Sequence, residues 1–328
     1  MIAAFLDGWG RVRRAPWLIA GLWVSTILVA LPPAIVLKGM IESHLGSSMA
    51  ADTLATGVNF DWWNEFLSQA AGVGQSFVPA IIGFAAVLKN LSDLADARAV
   101  SNVIVPVIGV QIVLSMFLAG GVMDRLARDR ALGAGGFFQA CGVYFFRFMR
   151  LGVIAAVVYW LLFFRLHPWL FDTVYEKLIK DLTVERTAFV YRVGLYIAFA
   201  VVVVIVNVLF DYAKVRAVVE DRRSMIGALV AGGRFILRNL IAVFGLYKLN
   251  ALLFLILMAL YAWAAPGAGA NALAFAVGQI YIVLRVAIRL QFAASSIALF
   301  QNRLAHAGYV ARPLPAWPDS PDAEAVGP

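Results

Sequence analysis

The stretch Val193–Tyr212 reads VGLYIAFAVVVVIVNVLFDY, and its only charged residue is Asp211 near the end. Crossing the roughly 30 Å of bilayer hydrocarbon takes a helix of about 20 apolar residues. This stretch therefore predicts a membrane-spanning helix. Five more stretches share its apolar character, and together they predict an all-α integral membrane protein with six transmembrane helices: Pro16–Leu37, Asn102–Met123, Leu151–Phe171, Ile241–Trp263 and Leu273–Phe300.

The composition of the whole chain agrees with that class. The chain is 62% hydrophobic and only 14% charged, whereas a soluble domain carries about 25% charged residues. The apolar runs lack the two-residue alternation of barrel strands, which favours helices. The apolar core of the first stretch exceeds the roughly 7–15 residues of a signal peptide, so we expect an anchor that is retained. Pro32 and Pro33 predict a bend or an end of that helix.

Basic residues are unevenly divided between the two sets of loops. One set holds 16 Lys and Arg residues and the other 7: segments 1–15, 124–150, 213–240 and 301–328 against segments 38–101, 172–192 and 264–272. The positive-inside rule therefore predicts that both termini are cytoplasmic. The net charge of +8 then reflects loops that face anionic lipid headgroups. Membrane lipids, anionic ones among them, are the expected partners, and no nucleic-acid-binding module is present.

The chain shows no pattern of catalytic or metal-binding residues. Its single cysteine, Cys141, excludes an intramolecular disulfide. The histidines, His44, His167 and His306, are too scattered to form a metal site on one helical turn. No phosphate-binding loop, nucleophile elbow or zinc-helix motif occurs. We therefore expect no enzyme activity, no metal and no cofactor.

Three segments share a glycine and an arginine at the same spacing, and each precedes an apolar stretch: Leu6–Arg13, Ala140–Arg147 and Ala231–Arg238. They align Gly8 with Gly142 and Gly233, and Arg13 with Arg147 and Arg238. The pattern predicts three parallel repeats of an interfacial helix plus a transmembrane hairpin, over residues 1–125, 130–212 and 222–303. The competing explanation is a chance match in a glycine-rich membrane chain.

The segments Met1–Trp9, Gly133–Phe146 and Ser224–Leu237 are apolar but too short to span, which is typical of interfacial helices. Their glycines favour close packing against the spans. Two interpretations follow. The segments are simple packing elements of the bundle, or they contact lipid headgroups with the flanking arginines as phosphate partners.

We assign residues 1–303 to the six-span domain, which includes one long loop, and residues 304–328 to a tail. Residues 38–101 form a long outer loop with six acidic residues against three basic ones. We interpret it as a periplasmic loop or cap with a short apolar helix over 77–88. The tail 304–328 has closely spaced prolines and is predicted to be a disordered cytoplasmic tail.

The sixth stretch carries two arginines, Arg285 and Arg289, near its middle. Residues four apart lie on one helical face, which Tyr281 extends by one turn. A charged side chain at the centre of the bilayer costs at least about 2.5–3.5 kcal/mol, so both arginines must face protein, water or an anion. Lys248 in the fifth stretch is a further candidate, although it can also reach the cytoplasmic headgroups.

Two interpretations of the arginine pair remain open. In the first, the guanidinium groups are structural: they bond to helix carbonyls, to buried water or to the amides of Gln279, Asn207 or Asn250, or they reach back to a membrane interface. In the second, they bind an anion, such as a lipid phosphate or a small carboxylate. The nearest acidic residue along the predicted topology is Asp211, which Arg289 reaches only if the helix tilts.

The three units, with Asp124 and Asp211 closing the first two returning helices, resemble uncharacterised bacterial six-span inner-membrane proteins. Some relatives of that kind form the membrane domain fused to glycerophosphodiester phosphodiesterases. The resemblance covers about residues 1–303 and implies an inner-membrane location. It implies no phosphodiesterase activity, because the chain has no soluble domain large enough to be that enzyme.

These observations favour a non-enzymatic role. We expect an envelope or lipid-associated inner-membrane protein whose bundle holds an anionic group at Arg285 and Arg289, with Tyr281 and Lys248 nearby. The alternative function is a transporter or channel for a small anion.

Overall fold

A computed structural model of the chain describes residues 1–46, 48–57, 59–78, 83–266 and 271–303. Within these ranges every regular element is helical. The helices in chain order are α1 (Ile2–Arg13), α2 (Pro16–Leu45), α3 (Ala51–Thr56), α4 (Phe60–Gln69), α5 (Gly83–Ala95), α6 (Val105–Arg128), α7 (Ala134–Leu161), α8 (Tyr175–Ile179), α9 (Glu185–Val219), α10 (Met225–Arg238), α11 (Leu240–Ala264) and α12 (Asn271–Arg303).

The prediction of six long apolar helices is confirmed for the described residues. Six helices are long and apolar enough to cross a membrane: α2, α6, α7 with its continuation to Ile179, α9, α11 and α12. In none of them is more than 22% of the most apolar window buried inside the protein. Most of their apolar surface therefore remains available to lipid.

The helix α2 differs from the prediction, because it continues through Pro32 and Pro33 and ends at Leu45. Each proline removes one backbone hydrogen bond, but a membrane helix tolerates this loss where its neighbours support it. The outer turns of α2 have such support. Met40 packs tightly on Gly74, where an added Cβ atom would lie 2.7 Å from the methionine Cε.

The second predicted interfacial segment, Gly133–Phe146, is not a separate helix. It forms the first turns of α7, which runs on through π-helical turns at Leu162–Leu166 and Trp169–Val174 into α8. The reason lies in the residues that follow the aligned arginine. Arg13 is followed by Arg14, Ala15 and Pro16, and the helix ends there, whereas Arg147 is followed by Phe-Met-Arg-Leu, which contains no helix breaker.

The helices at one end of the bundle pack in a recurring way. The helix α1 packs on α12, α10 packs on α9, and the first turns of α7 pack on α6. We call this end the basic face and define it as α1, residues 134–147 of α7, and α10. The main buried core lies here, where α6, α9 and α12 end, and it includes Leu126, Val215, Ile297 and Phe300.

Small residues bring these helices close together. A Cβ atom added to Gly8 would lie 2.8 Å from the backbone nitrogen of Ser295. One added to Gly232 would lie 3.3 Å from a backbone nitrogen of α9. One added to Gly121 would lie 2.7 Å from the buried Sγ of Cys141. Backbone approach of this kind requires residues with little or no side chain.

The two glycines that the sequence pattern aligned with Gly8 do not face a neighbouring backbone as Gly8 does. A Cβ atom added to Gly142 meets nothing within 4 Å, and one added to Gly233 meets only Leu209 Cδ1, at 3.6 Å. The aligned glycines therefore make different packing contacts. Close contacts with the neighbouring helix are made at Cys141 and Gly232, because helix phase and not residue type sets which side faces a neighbour.

The outer loop folds as a set of short helices, α3, α4 and α5, which we call the cap. Of the helix predicted over 77–88, Phe77 is extended, residues 79–82 lie outside the described residues, and the described part of α5 runs from Gly83 to Ala95. The predicted disordered tail, 304–328, also lies outside the described residues.

Two polar contacts attach the end of the cap to the outer ends of α7 and α9. The Nε2 atom of His167 lies 2.9 Å from the carbonyl oxygen of Ala95, and the His167 ring stacks on Phe171. The Tyr196 hydroxyl donates a 2.5 Å hydrogen bond to Asp96 Oδ1. These contacts position the cap over the bundle.

Cap attachment is expected to weaken only in strong acid. The hydrogen bond from Tyr196, helped by the charge of Arg98, lowers the pKa of Asp96 from its usual 3.8 against the opposing effect of burial. A lowered pKa stabilises the folded form above the unfolded value, and this stability is lost as the pH falls through the folded pKa. Hydrogen exchange of 84–96, corrected for intrinsic rates, should stay slow down to about pH 4 and rise below it. The Tyr196→Phe variant should exchange faster already at pH 7, and equal exchange in the two proteins would contradict this role.

Candidate functional site: a polar cavity inside the bundle

A cavity of about 470 Å³ lies among α2, α6, α9, α11 and α12. Five of the six long helices therefore contribute to its wall. Polar residues from all five line it: Ser25, Thr26, Gln111, Ser115, Asn207, Asp211, Lys214, Tyr247, Arg285, Arg289 and Ser296. Polar groups that converge inside a largely apolar bundle are the usual sign of a binding site.

The charges of the cavity do not balance. Asp211 is already paired, because Lys214 Nζ lies 2.6 Å from its Oδ1. Among the described residues, no carboxylate oxygen lies within 4.0 Å of the guanidinium group of Arg285 or Arg289. The cavity wall therefore carries two positive charges in excess.

The packing of α12 explains why the arginines face the cavity. Its other face is occupied by α1: Gln291 is fully buried and donates a 2.8 Å hydrogen bond from Nε2 to the carbonyl oxygen of Phe5. Ser295 on the same face contacts Gly8. Since Arg285 and Arg289 are four residues apart, they share the remaining face, which lines the cavity.

The amides that could have satisfied the arginines structurally bond to other groups. Gln279 accepts a 3.0 Å hydrogen bond from Trp23 Nε1, and the Asn207 Oδ1 atom accepts one from the Tyr159 hydroxyl. Asn250 donates from Nδ2 to the Leu246 carbonyl oxygen and to Ser295 Oγ, and its acceptor Oδ1 is buried with no hydrogen-bond partner among the described residues. Three of these bonds join two helices and the fourth lies within α11. None of them involves Arg285 or Arg289.

The other two predicted site residues do not line the cavity. Tyr281 is buried and stacks on Tyr261 with ring centroids 4.2 Å apart, next to Arg285 and outside the wall itself. Lys248 is exposed on the outside of α11. The structure thus brings together Arg285 and Arg289, keeps Tyr281 beside them, and separates Lys248 from them.

Sequence reasoning missed the Asp211–Lys214 pair, because Lys214 was counted with the loop that follows the fourth span. It also missed the polar residues of α6. A signal was present, since Gln111 and Ser115 are four apart and lie on one face of an otherwise apolar helix. Isolated polar residues of this kind also occur where helices simply pack, so only their convergence on one cavity distinguishes them.

The arrangement suits anion binding better than metal binding. In the described part of the chain, no group of three or more His, Cys, Asp and Glu residues is placed to hold a metal ion. The cavity instead offers guanidinium donors together with hydroxyl and amide groups. Arginine presents paired donors that match carboxylate and phosphate oxygens.

Comparison of the chain with protein-family models, with curated proteins and with solved structures returned no match. The resemblance to six-span inner-membrane proteins therefore stays a prediction. Any functional assignment has to come from the geometry of the cavity and the charges around it.

Proposed function

We propose that this protein is a non-enzymatic, lipid-associated protein of the bacterial inner membrane that binds an anionic group in its central cavity. In this proposal both termini lie in the cytoplasm, so the basic face meets the cytoplasmic leaflet. One observation carries the proposal: two arginines face a polar cavity without a carboxylate partner, while the one acidic group of the wall is paired with Lys214.

The energetics of charge within an apolar membrane span support this function. Arg285 and Arg289 are exposed at the cavity and not buried by protein. At membrane depth two guanidinium groups without a counter-charge are costly, and intramembrane charges usually mark functional sites. An anion would neutralise them through charge-assisted hydrogen bonds. The cavity of about 470 Å³ also falls within the roughly 300–1,000 Å³ range of small-ligand sites. A phosphate headgroup or a small carboxylate fits that volume.

Removing both charges is expected to remove one bound anion. The variant Arg285→Gln/Arg289→Gln keeps polar side chains but loses both guanidinium groups. Its affinity for an anionic phospholipid, read as adduct occupancy in native mass spectrometry, should fall at least about tenfold, since one charge-assisted contact contributes more than about 1.4 kcal/mol. The matched control is Lys248→Gln, which removes an exposed charge outside the cavity. Equal occupancy in wild type and double variant would refute the cavity site.

A second candidate function is transport of a small anion, and the irregular outer end of α7 favours it. The π-helical turns at Leu162–Leu166 and Trp169–Val174 lie next to the cap contact of His167. Turns of this type often occur at functional positions and hinges. Anion flux into liposomes containing the wild type, but not the arginine double variant, would select transport over static binding.

We also propose that the three units are related copies that pack in a ring. Arg14 pairs with Asp129 after α6, and Arg147 pairs with Asp221 after α9, each at 2.5 Å. Both aspartates adopt the left-handed backbone conformation, with a φ of 49°. Two ion pairs of the same kind at corresponding helix ends support a common origin for the units.

The packing contacts supply a corrected alignment of these units. The residues of closest approach are Gly8, Cys141 and Gly232, and each lies six positions before an arginine: Arg14, Arg147 and Arg238. In each unit the short helix contacts the last helix of the preceding unit, with α1 on α12 closing the ring. This cyclic arrangement leaves the central cavity between the units.

A further inference from the structure

The outer side of α10 holds a second strongly basic site. A groove of about 660 Å³ lies between α10 and the end of α9, and four arginines line it: Arg216, Arg222, Arg234 and Arg238. It is separate from the central cavity, because the two share no lining residue. Clusters of arginine on a membrane protein at headgroup depth are typical of phospholipid headgroup sites.

Only two of the four arginines in the groove pair with a carboxylate, and they share the same one. Arg216 and Arg222 both bond to Glu220, at 2.7 and 2.5 Å. Burial opposes ionisation of Glu220, but the two arginines outweigh it and hold the pKa of this carboxyl below its usual value. Glu220 is therefore charged at neutral pH, and it neutralises one positive charge of the pair.

The other two arginines lack an acidic partner in the described part of the chain. Neither Arg234 nor Arg238 has a carboxylate oxygen within 4.0 Å. This contrasts with the equivalent arginines of the other units, since Arg14 and Arg147 each pair with an aspartate.

Apolar side chains surround the groove and remain uncovered. Val230, which lines it, is 52% exposed, and Leu237 and Ile241 nearby are 71% and 91% exposed. A free phosphate ion would leave this apolar surface without a partner, whereas a phospholipid covers it with acyl chains. The combination of basic groove and apolar border therefore favours a lipid over a soluble anion.

We propose that the groove between α9 and α10 binds the phosphate headgroup of an anionic phospholipid from the adjacent leaflet. Arg234 and Arg238 donate to the phosphate oxygens, and Arg216 and Arg222 remain anchored by Glu220. The acyl chains lie along the exposed apolar side chains of α10 and the start of α11. Arginine forks are well matched to phosphate for this purpose.

The test uses the full-length protein in nanodiscs and the variant Arg234→Gln/Arg238→Gln. We expect the occupancy of phosphatidylglycerol, measured by native mass spectrometry after lipid exchange, to fall about tenfold or more at one site. The control is Arg13→Gln/Arg130→Gln, which removes two exposed charges outside the groove, and its occupancy should equal that of wild type. The variant Arg234→Lys/Arg238→Lys, which keeps the charge, should retain more lipid than the glutamine variant.

Different outcomes distinguish a lipid in the groove from a lipid in the central cavity and from a soluble anion in the groove. The groove variant should lose one lipid and the cavity variant another, so that the combined variant loses two. Loss of the same single lipid in both variants would overturn the groove site. Inorganic phosphate could displace the bound lipid from the groove as effectively as added phosphatidylglycerol does. That result would overturn the lipid proposal and point to a free phosphate as the ligand. An unchanged thermal unfolding midpoint of the lysine variant shows that the fold is intact. Unchanged lipid occupancy in the glutamine variant refutes the proposal.

Discussion

Replacing Arg11 by methionine is expected to destabilise the protein by about 2–4 kcal/mol, because buried acceptors lose their donors. Arg11 is only 9% exposed. Its guanidinium group donates to the carbonyl oxygen of Leu126 at 2.9 Å, to Gln301 Oε1 at 2.8 Å and to Asp7 Oδ2 at 3.0 Å. One side chain thereby ties α1 to the ends of α6 and α12. Methionine preserves the apolar stem but removes the donor from the buried Leu126 carbonyl oxygen and from the part-buried Gln301, whereas Asp7 is 37% exposed and can be hydrated.

The measurement is unfolding of the purified protein in mixed micelles as the denaturing detergent is increased. The matched control is Arg13→Met, which lies two residues away on the exposed side of the same helix and has no ion pair among the described residues. Its unfolding midpoint should stay within about 0.5 kcal/mol of wild type, as is usual for surface positions. Equal midpoints for the Arg11 and Arg13 variants would show that the network is not formed.

Replacing Gly8 by alanine is expected to separate α1 from α12. The new Cβ atom would lie 2.8 Å from the backbone nitrogen and 2.9 Å from the Cα atom of Ser295. Backbone atoms cannot move aside as a side chain can, so α1 must shift. Overpacking of this kind costs about 1–3 kcal/mol, and the higher helix propensity of alanine offsets only about 1 kcal/mol. We expect a lower unfolding midpoint and faster hydrogen exchange across α1.

The control for this change is Gly142→Ala, at the position that the sequence pattern aligned with Gly8. No heavy atom lies within 4 Å of a Cβ atom added there. This variant should be as stable as wild type or more stable, because only the helix propensity changes. Equal destabilisation by Gly142→Ala and Gly8→Ala would support the sequence alignment and contradict the observed packing.

The Arg11→Met and Gly8→Ala changes both lie in α1, which packs on the helix that carries the cavity arginines. Gln291 and Ser295 hold α12 against α1, so they fix the rotation that turns Arg285 and Arg289 to the cavity. A shift of α1 would loosen that rotation. The Gly8→Ala variant is therefore also expected to bind the cavity anion more weakly, although Gly8 does not line the cavity.

The amino-acid sequence alone was enough to predict the six long apolar helices and the arginine pair. Their lengths follow from bilayer thickness, and the residues involved are neighbours along the chain. Arg285 and Arg289 could be placed on one face of α12 because the helical period fixes it. Sequence could not show that Gln279, Asn207 and Asn250 bond elsewhere, since their partners come from other helices.

Tertiary structure decided which small residue faces a neighbouring helix, whether a proline ends α2, and which charges remain unpaired. Gly8 and Gly142 look alike in sequence, yet only Gly8 meets another backbone. Asp211 looked like a distant counter-ion for Arg289, yet it pairs with Lys214 on its own helix. Local periodicity determines the faces of each helix, whereas helix rotation and depth depend on packing between segments far apart in the chain. For that reason the sequence predicted the charges, and only the fold showed where they converge.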